Sequence, residues 1–442
     1  MAKLNATHDP ARRSWVESAN RPNCDFPIQN LPLGIFRRGG GTARGGVAIG
    51  DRILDLAAAA EAGLFSGAAA AAARAAVGSH LNPLMALGPE AASALRARLS
   101  DVLRADAPER GRLAEMGDRL LVPMAEAQMD LPAAIGNYTD FLTSAYHTLR
   151  SFRALRPDAE LPPAFKYLPM AYHGRASSVR VSGEPVRRPN VQARSGDGAR
   201  FGPSQALDFE LELGVFIGKG NALGAPIPLA ATEKQIFGYC LVNDWSARDV
   251  QRWESNPLGP FLAKSLSTTI SPWVVTAEAL APFRIAAPAR EPGDPALLPY
   301  LVDPLNQQEG GLDLAMEAYL LTPRLRERGA GPVRVTATNF RHMYWTLAQM
   351  IAHHASNGCN LMPGDLLASG TVSGPEPESR ACLNELSVAG KEPMPLPGGE
   401  TRAWLEDGDE MIFRARAVRP GHVAIGFGEC RARIDPAPAW PR

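Results

Sequence analysis

Alternation of apolar and polar residues is clearest between residues 207 and 217, and it predicts a β-strand there. Asp208, Glu210 and Glu212 would lie on one face of that strand, and Phe209 and Leu211 on the other. Carboxylates crowded on a buried face repel one another and are costly to remove from water. The pattern therefore leaves two readings open. Either the acidic face is solvated, or it is buried and a cation neutralises it.

The two parts of the chain differ in pattern, and this predicts two domains, 1–130 and 131–442. Residues 31–56 contain short apolar runs separated by glycines, which predict a small β unit, and the Ala- and Leu-rich residues 57–120 predict helices. Pro123 to Pro132 has the character of a linker. Short strands then alternate with Gly/Pro-rich segments, and residues 189–206 and 285–311 are expected to be loops.

The segment from Ile135 to His147 holds a second candidate acidic residue. Asn137 or Thr139 can cap a helix and no proline follows closely, so a helix is expected from that point. In such a helix Asp140 and His147 would lie two turns apart on one face.

In a third segment, an apolar run is followed directly by the polar residues Asn243 and Asp244. Polar groups at the end of a buried strand are a common position for chemistry. An all-oxygen set suited to Ca²⁺ or Mg²⁺ would be formed by Asp140, Glu210, Glu212 and Asp244. Neither the cysteines nor the histidines show zinc-type spacing, so a softer metal is not expected.

Composition narrows the choice of partners and compartment. Lys plus Arg and Asp plus Glu both number 46, so the chain has no basic excess that would favour nucleic acid or an acidic membrane. The five cysteines are scattered, which suits free thiols in a reducing compartment. We therefore expect a cytoplasmic protein with a small-molecule substrate, and neither a nucleic-acid nor a membrane partner.

Several long strings carry a specific resemblance. Examples are Asp-Phe-Pro-Ile-Gln-Asn-Leu-Pro from Asp25, Tyr-His-Gly-Arg-Ala-Ser-Ser-Val from Tyr172, Asn-Asp-Trp-Ser-Ala-Arg-Asp from Asn243, Pro-Leu-Gly-Pro-Phe-Leu from Pro257 and Leu-Ala-Ser-Gly-Thr-Val-Ser-Gly-Pro-Glu from Leu367. In these strings and their order the chain resembles the fumarylacetoacetate hydrolase family over nearly its whole length.

The resemblance implies a mainly β (α+β) fold, with an N-terminal SH3-like barrel followed by a C-terminal mixed β-roll. It also implies a homodimer that uses Ca²⁺ or Mg²⁺, with Mn²⁺ as an alternative. The implied reaction is hydrolysis of the C–C bond of 4-fumarylacetoacetate to fumarate and acetoacetate, the last step of tyrosine and phenylalanine degradation. Two alternatives stay open: a related C–C hydrolase or decarboxylase acting on another diketo acid such as an acylpyruvate, and a non-catalytic binding relative.

Roles carry over from the family to individual residues. His147 falls at the position of the general base and Glu385 at that of the residue orienting it. The oxyanion and carbanion stabilisers correspond to Arg248, Gln251 and Lys264. The substrate's carboxylates would be bound by Arg156, Tyr172, Gln251 and Thr371. The metal ligands would be Asp140, Glu210, Glu212 and Asp244, with a further magnesium-type site near Asp244, Lys264 and Thr268.

Two positions depart from the family pattern. Leu142 and Ser255 stand where the family usually has substrate-contacting tyrosines. Leucine has no hydroxyl to donate, and serine is too short to reach the same point. Because the reacting groups are retained, the departures put the identity of the substrate in doubt more than the type of reaction.

Overall fold

The computed structural model describes residues 3–440, and its fold is mixed α+β with sheet predominating. The N-terminal part contains a five-stranded antiparallel sheet in the order β4-β3-β2-β1-β5. Its strands are β1 Leu33–Arg38, β2 Arg44–Ile49, β3 Arg52–Asp55, β4 Leu121–Pro123 and β5 Ala127–Asp130. Between β3 and β4 come the helices α1 Leu56–Glu61, α2 Gly67–Ala76, α3 Asn82–Leu87, α4 Pro89–Leu103 and α5 Arg110–Glu115.

The rest of the chain forms two larger sheets, four two-stranded pairs and seven α-helices among the described residues. Its first strands are β6 Tyr138–Leu142, β7 Met170–Gly174, β8 Val179–Val181, β9 Val186–Arg187, β10 Asn190–Ser195, β11 Gly198–Pro203, β12 Leu207–Asp208, β13 Leu211–Ile217, β14 Ile236–Asp244, β15 Ser246–Ala247, β16 Thr268–Ile270 and β17 Val275–Thr276. The later strands are β18 Arg284–Ile285, β19 Gly311–Leu312, β20 Ala315–Leu321, β21 Val333–Asn339, β22 Leu366–Ala368, β23 Met394–Pro395, β24 Thr401–Arg402, β25 Glu410–Ala417 and β26 Ile425–Asp435. The helices are α6 Ala145–Arg153, α7 Arg248–Glu254, α8 Leu262–Ser265, α9 Pro304–Glu309, α10 Pro323–Glu327, α11 Leu347–His354 and α12 Leu383–Leu386.

The eight-stranded sheet is the middle layer of the molecule. Its strands run in the order β7-β6-β22-β13-β14-β16-β8, and β17 pairs with β14. One face packs through Leu213 and Leu241 against the five-stranded sheet β21-β20-β25-β26-β9. The other face packs through Phe216 and Val242 against the N-terminal sheet and helices. The alternation of side chains along β13 and β14 thus buries both faces of the sheet.

The structure corrects three of the sequence-based predictions. The segment from Asn137 is not a helix, because Tyr138–Leu142 pairs with β7 and β22 as strand β6, and the helix starts only at Ala145. The expected linker at 123–132 contains β5, which pairs with β1. Of the two expected loops, residues 189–206 form the β10–β11 hairpin and residues 285–311 contain helix α9. Strand pairing, which sequence propensity cannot predict, decided the three strand assignments.

Among residues 3–440, each helix is too short or too polar to pass through a lipid bilayer.

Candidate metal-binding and catalytic site

Four buried carboxylates converge at one end of the middle sheet. Asp140 lies on β6, Glu212 on β13 and Asp244 at the end of β14, while Glu210 directly precedes β13. Their ligand atoms all lie within 4.8 Å of one another. We call these four residues the carboxylate quartet.

The strand register explains this convergence. Leu211 pairs with Asn243 and Glu212 with Val242, so Glu210 comes opposite Asp244. Leu211 and Leu213 belong to the core on the far face of the sheet, and the intervening acidic residues therefore point the other way. The predicted alternation is confirmed, but the single predicted strand is divided into β12 and β13, which belong to different sheets. The acidic face is buried, so the solvated interpretation of it is wrong.

The quartet has the features of a site for a hard divalent cation. Within residues 3–440, Asp140 Oδ1 and Glu212 Oε1 are buried and accept no hydrogen bond. Burial, and then the neighbouring carboxylates, raise the pKa of both groups well above the usual values. Orphaned carboxylate oxygens of this kind are costly unless something positive binds them. The four-carboxylate donor set fits Ca²⁺ or Mg²⁺.

Two basic side chains balance part of the negative charge. Lys264 contacts Glu210 and donates a 2.6 Å hydrogen bond to Asp244 Oδ2. Arg248 donates to Glu210 Oε1 at 2.7 Å and to Gln251 Oε1 at 3.0 Å. Burial opposes ionisation of Glu210, but Lys264 and Arg248 outweigh it and lower the pKa of this carboxyl. The quartet likewise raises the pKa of Lys264 against the effect of burial, so its ammonium offsets part of the negative charge.

A buried histidine stands beside the quartet. Ser144 caps helix α6 by accepting a 3.1 Å hydrogen bond from the backbone N–H of His147, which fixes the histidine in the first turn. His147 Nδ1 lies 2.7 Å from Glu385 Oε1, and Nε2 lies 3.6 Å from Glu210 Oε1. Burial opposes ionisation of Glu385, but His147 and a 2.6 Å hydrogen bond from Ser373 lower its pKa. The ionised Glu385 favours the tautomer with the proton on Nδ1, leaving Nε2 free toward the quartet.

Asp208 has a position that the sequence pattern did not reveal. It accepts a 2.8 Å hydrogen bond from Arg248 Nε, and hydrogen bonds from the backbone N–H groups of Leu383 and Asn384 at the start of α12. Asp208 thereby links Arg248 by hydrogen bonds to α12, the short helix that carries Glu385. The sequence had placed it only on the acidic face.

The predicted substrate-binding residues fall into two groups. Tyr172 donates a 2.8 Å hydrogen bond to Asp244 Oδ2, and Thr371 is buried in the segment after β22. Arg156 instead is exposed beyond the end of α6. Thr268, predicted near the further magnesium-type site, donates to Asp244 Oδ1 at 3.2 Å.

Comparison with known proteins decides the family. The family described as Fumarylacetoacetate (FAA) hydrolase C-terminal matches residues 137–435, and Fumarylacetoacetase N-terminal matches residues 29–132. The chain belongs to the fumarylacetoacetate hydrolase family.

Its similarity to individual family members extends over almost the whole chain. It is 45% identical to the fumarylacetoacetase of Oryza sativa over 432 residues, which is 96% of this chain and 97% of that protein. It is 46% identical to the fumarylacetoacetase of Caenorhabditis elegans, with 94% and 97% of the two chains covered. For the human fumarylacetoacetase the identity is 43%, with 93% and 97% covered.

Leu142 and Ser255, the two positions at which the resemblance leads us to expect tyrosines, lie on β6 and directly after α7. Leu142 ends β6, two residues after Asp140, and is half-buried. Ser255 follows α7, and its hydroxyl donates to the backbone carbonyl of Gln251 at 2.6 Å.

Proposed function

We propose that this protein hydrolyses the C–C bond of 4-fumarylacetoacetate to give fumarate and acetoacetate. The observation that carries the proposal is the buried His147–Glu385 pair, whose free imidazole nitrogen is 3.6 Å from a carboxylate of the quartet. Hydrolysis of a diketone needs a base that activates water and a cation that polarises the diketone oxygens. The base and the candidate cation site lie next to each other here. The named relatives support the choice of substrate.

The first step needs a base for water. His147 Nε2 accepts a proton from the water as its oxygen adds to the ketone carbon, and Glu385 stabilises the imidazolium that forms. The C–C bond then breaks with its electron pair leaving on the acetoacetate carbon. That carbanion, delocalised as an enolate, takes up a proton, and the added water has been consumed in forming the fumarate carboxylate.

The second need is positive charge and hydrogen-bond donors where negative charge develops. Arg248, Gln251 and Lys264 supply these donors beside the quartet. A divalent cation held by Asp140, Glu210, Glu212 and Asp244 would supply Lewis-acid polarisation of the diketone oxygens. We assign Ca²⁺ or Mg²⁺ to this role, because the donor set consists of carboxylates only.

Substrate recognition supports a second candidate within the same chemistry. The resemblance leads us to expect substrate-contacting tyrosines at positions 142 and 255, where this chain has Leu142 and Ser255 and so no phenol donor for the substrate's carboxylate ends. A shorter diketo acid such as an acylpyruvate needs fewer of these contacts. Arg156, Tyr172 and Thr371 are then the residues that we assign to the remaining carboxylate.

Turnover of the purified protein on matched substrates tests these proposals. We expect kcat/KM for fumarylacetoacetate to exceed that for a simple acylpyruvate when both are assayed with saturating Mg²⁺. A reversed order would transfer the assignment to the acylpyruvate. If neither substrate turned over, with the carboxylate quartet shown by calorimetry to bind metal, the non-catalytic binding alternative would stand.

The proposal also covers the domain architecture, the cellular location and the oligomeric state. The order β4-β3-β2-β1-β5, with β5 returning to pair with β1, supports an SH3-like barrel for residues 1–130 and leaves 131–442 as the β-roll domain. All five cysteines are free, which supports a cytoplasmic location. The proposed homodimer is tested by sedimentation equilibrium.

A further inference from the structure

A cysteine that the proposed reaction does not use is packed against the His147–Glu385 pair. Cys382 is fully buried, and its Sγ lies 3.5 Å from Glu385 Oε1 and 3.8 Å from His147 Nδ1. The three ligand atoms lie within 4.8 Å of one another. We call these three residues the thiol–imidazole–carboxylate cluster.

The spacing in this cluster is close to that of a tetrahedral zinc site. Zinc bonds of about 2.3 Å to sulfur and about 2.0–2.1 Å to nitrogen or oxygen place the sulfur about 3.6 Å from the other two ligands. The observed distances of 3.8 and 3.5 Å match this. The nitrogen–oxygen distance of 2.7 Å is that of a hydrogen bond, and it must lengthen by roughly half an ångström when a metal replaces the proton.

A second observation points to a ligand at the same place. Among the described residues, Glu385 Oε2 is buried and accepts no hydrogen bond, although Arg150 Nη1 lies 3.5 Å away. Glu385 Oε1 is already shared between His147 and the hydroxyl of Ser373. Glu385 therefore keeps one buried oxygen without a hydrogen bond, and a metal that replaces the Nδ1 proton can bind Oε1 while the bond to Ser373 remains.

We propose that the thiol–imidazole–carboxylate cluster is a separate binding site for a soft divalent ion such as Zn²⁺ or Cd²⁺, and that its occupation is inhibitory. Thiolate and imidazole select soft ions, whereas the all-oxygen quartet selects hard ones. Binding displaces the thiol proton to solvent, moves the imidazole proton from Nδ1 to Nε2 and places the ion on His147 Nδ1, in competition with the Glu385 contact that orients the ring. The inhibitory consequence rests on the proposed function of His147, but the binding does not.

Sequence reasoning missed this cluster because its members are far apart in the chain. His147 lies in α6, Cys382 directly precedes α12, and Glu385 lies on α12 three residues further on. The short α12 is held in place by Asp208, so the thiol and carboxylate meet the imidazole across 235 and 238 residues of sequence.

Cd²⁺ titration in excess Mg²⁺ tests the binding. The readouts are the ultraviolet charge-transfer absorbance of a Cd²⁺–thiolate bond and the calorimetric stoichiometry. We expect one Cd²⁺ per chain in the wild type, and loss of the absorbance in Cys382→Ser. The band should persist in Cys359→Ser, a matched thiol away from the cluster, and in Glu212→Gln, which weakens only the quartet. Absence of the band in the wild type, or its persistence in Cys382→Ser, would overturn the site.

Zn²⁺ inhibition tests the consequence. With Mg²⁺ saturating, Zn²⁺ should inhibit the wild type and Cys359→Ser, and the Zn²⁺ concentration for half inhibition should rise at least about tenfold in Cys382→Ser. Equal inhibition of Cys382→Ser and of the wild type would place the inhibitory ion outside the cluster and contradict the proposal. Cys382→Ala gives a second test if the serine variant does not fold. If the wild type bound Cd²⁺ as expected but did not turn over fumarylacetoacetate, the proposed function would fail and the metal site would remain.

Discussion

At the scale of single residues, the chemistry depends on the surroundings of His147. Glu385, ionised and hydrogen-bonded to Ser373, holds one ring nitrogen, and the other is directed at Glu210. A histidine in open water would present either tautomer. Burial between two carboxylates selects one tautomer and stabilises the imidazolium that accepting a proton creates.

We expect His147→Ala to lower kcat by about 10²–10⁴-fold, the usual contribution of a general base. The fold and the affinity for Mg²⁺ should be retained, because His147 is not a member of the quartet. Steady-state kinetics with calorimetry of Mg²⁺ binding measure both effects. His353→Ala, a half-buried histidine on α11 that contacts Tyr300, is the matched control. A near-normal kcat in His147→Ala would show that another group is the base.

The two departures from the family pattern give a second prediction at this scale. Introducing tyrosine at both Leu142 and Ser255 should lower KM for fumarylacetoacetate with little change in kcat, because contacts to the carboxylate ends are equally strong in the ground and transition states. The gain corresponds to about 1–3 kcal/mol if both phenols reach carboxylate oxygens.

A shorter acylpyruvate that lacks the second carboxylate provides the control for the double tyrosine variant. KM for this substrate should change much less. The same change on both substrates, or no change on either, would mean that the missing tyrosines do not explain specificity.

At the scale of secondary structure, the site depends on short elements that have little stability of their own. Helix α12 contains four residues, which is far below the length at which an isolated helix is stable. Its position is set by Asp208, which accepts the backbone N–H groups at its start and also binds Arg248 of α7. One buried carboxylate thus connects a strand and two helices.

We expect Asp208→Asn to destabilise the protein by about 3 kcal/mol, since it leaves the buried guanidinium of Arg248 without its full counter-charge. Turnover should fall as well, because Arg248 and Glu385 both lose a fixed position. Urea unfolding gives the stability change. Glu126→Gln is the control, because its ion pair with Arg38 is on the surface and should contribute less than about 1 kcal/mol. Equal stability of the Asp208 and Glu126 variants would exclude the connecting role.

At the scale of the whole molecule, the quartet joins three strands of the middle sheet, whose two faces pack against the two hydrophobic cores. A cation bound by the quartet would therefore stabilise the middle sheet, against which both the N-terminal part and the rest of the chain pack. Without a cation, four carboxylates are offset mainly by Lys264 and the shared Arg248.

We therefore predict that metal removal costs both activity and stability. Chelation should abolish turnover, and Mg²⁺, Mn²⁺ or Ca²⁺ should restore it. At a free metal concentration one hundred times Kd the free energy of unfolding should rise by about 2.7 kcal/mol. Thermal unfolding and turnover, each measured across a metal titration, provide the check. Glu210→Gln should shift both titrations to higher metal, and Glu126→Gln neither. Full activity in protein shown by elemental analysis to be metal-free would refute this prediction.

The sequence by itself determined the identities of the chemical groups and the alternating segment on which Asp208, Glu210 and Glu212 lie. The alternation from Phe209 to Leu213 is a local property, and a strand with that pattern must separate its acidic and apolar side chains. The sequence segments that carry the family resemblance are likewise recognised from the order of residues alone. For these reasons the quartet and the His147–Glu385 pair could be named before any contact was known.

Only the tertiary structure decided which face was buried and which distant residues meet. Residues 138–142 form a strand instead of a helix because β7 and β22 lie beside them. Cys382 reaches His147, and Asp208 reaches Arg248 and α12, because the chain returns to the same place after long intervals. Local patterns contain no information about such contacts, since their formation depends on packing between elements that are far apart in sequence.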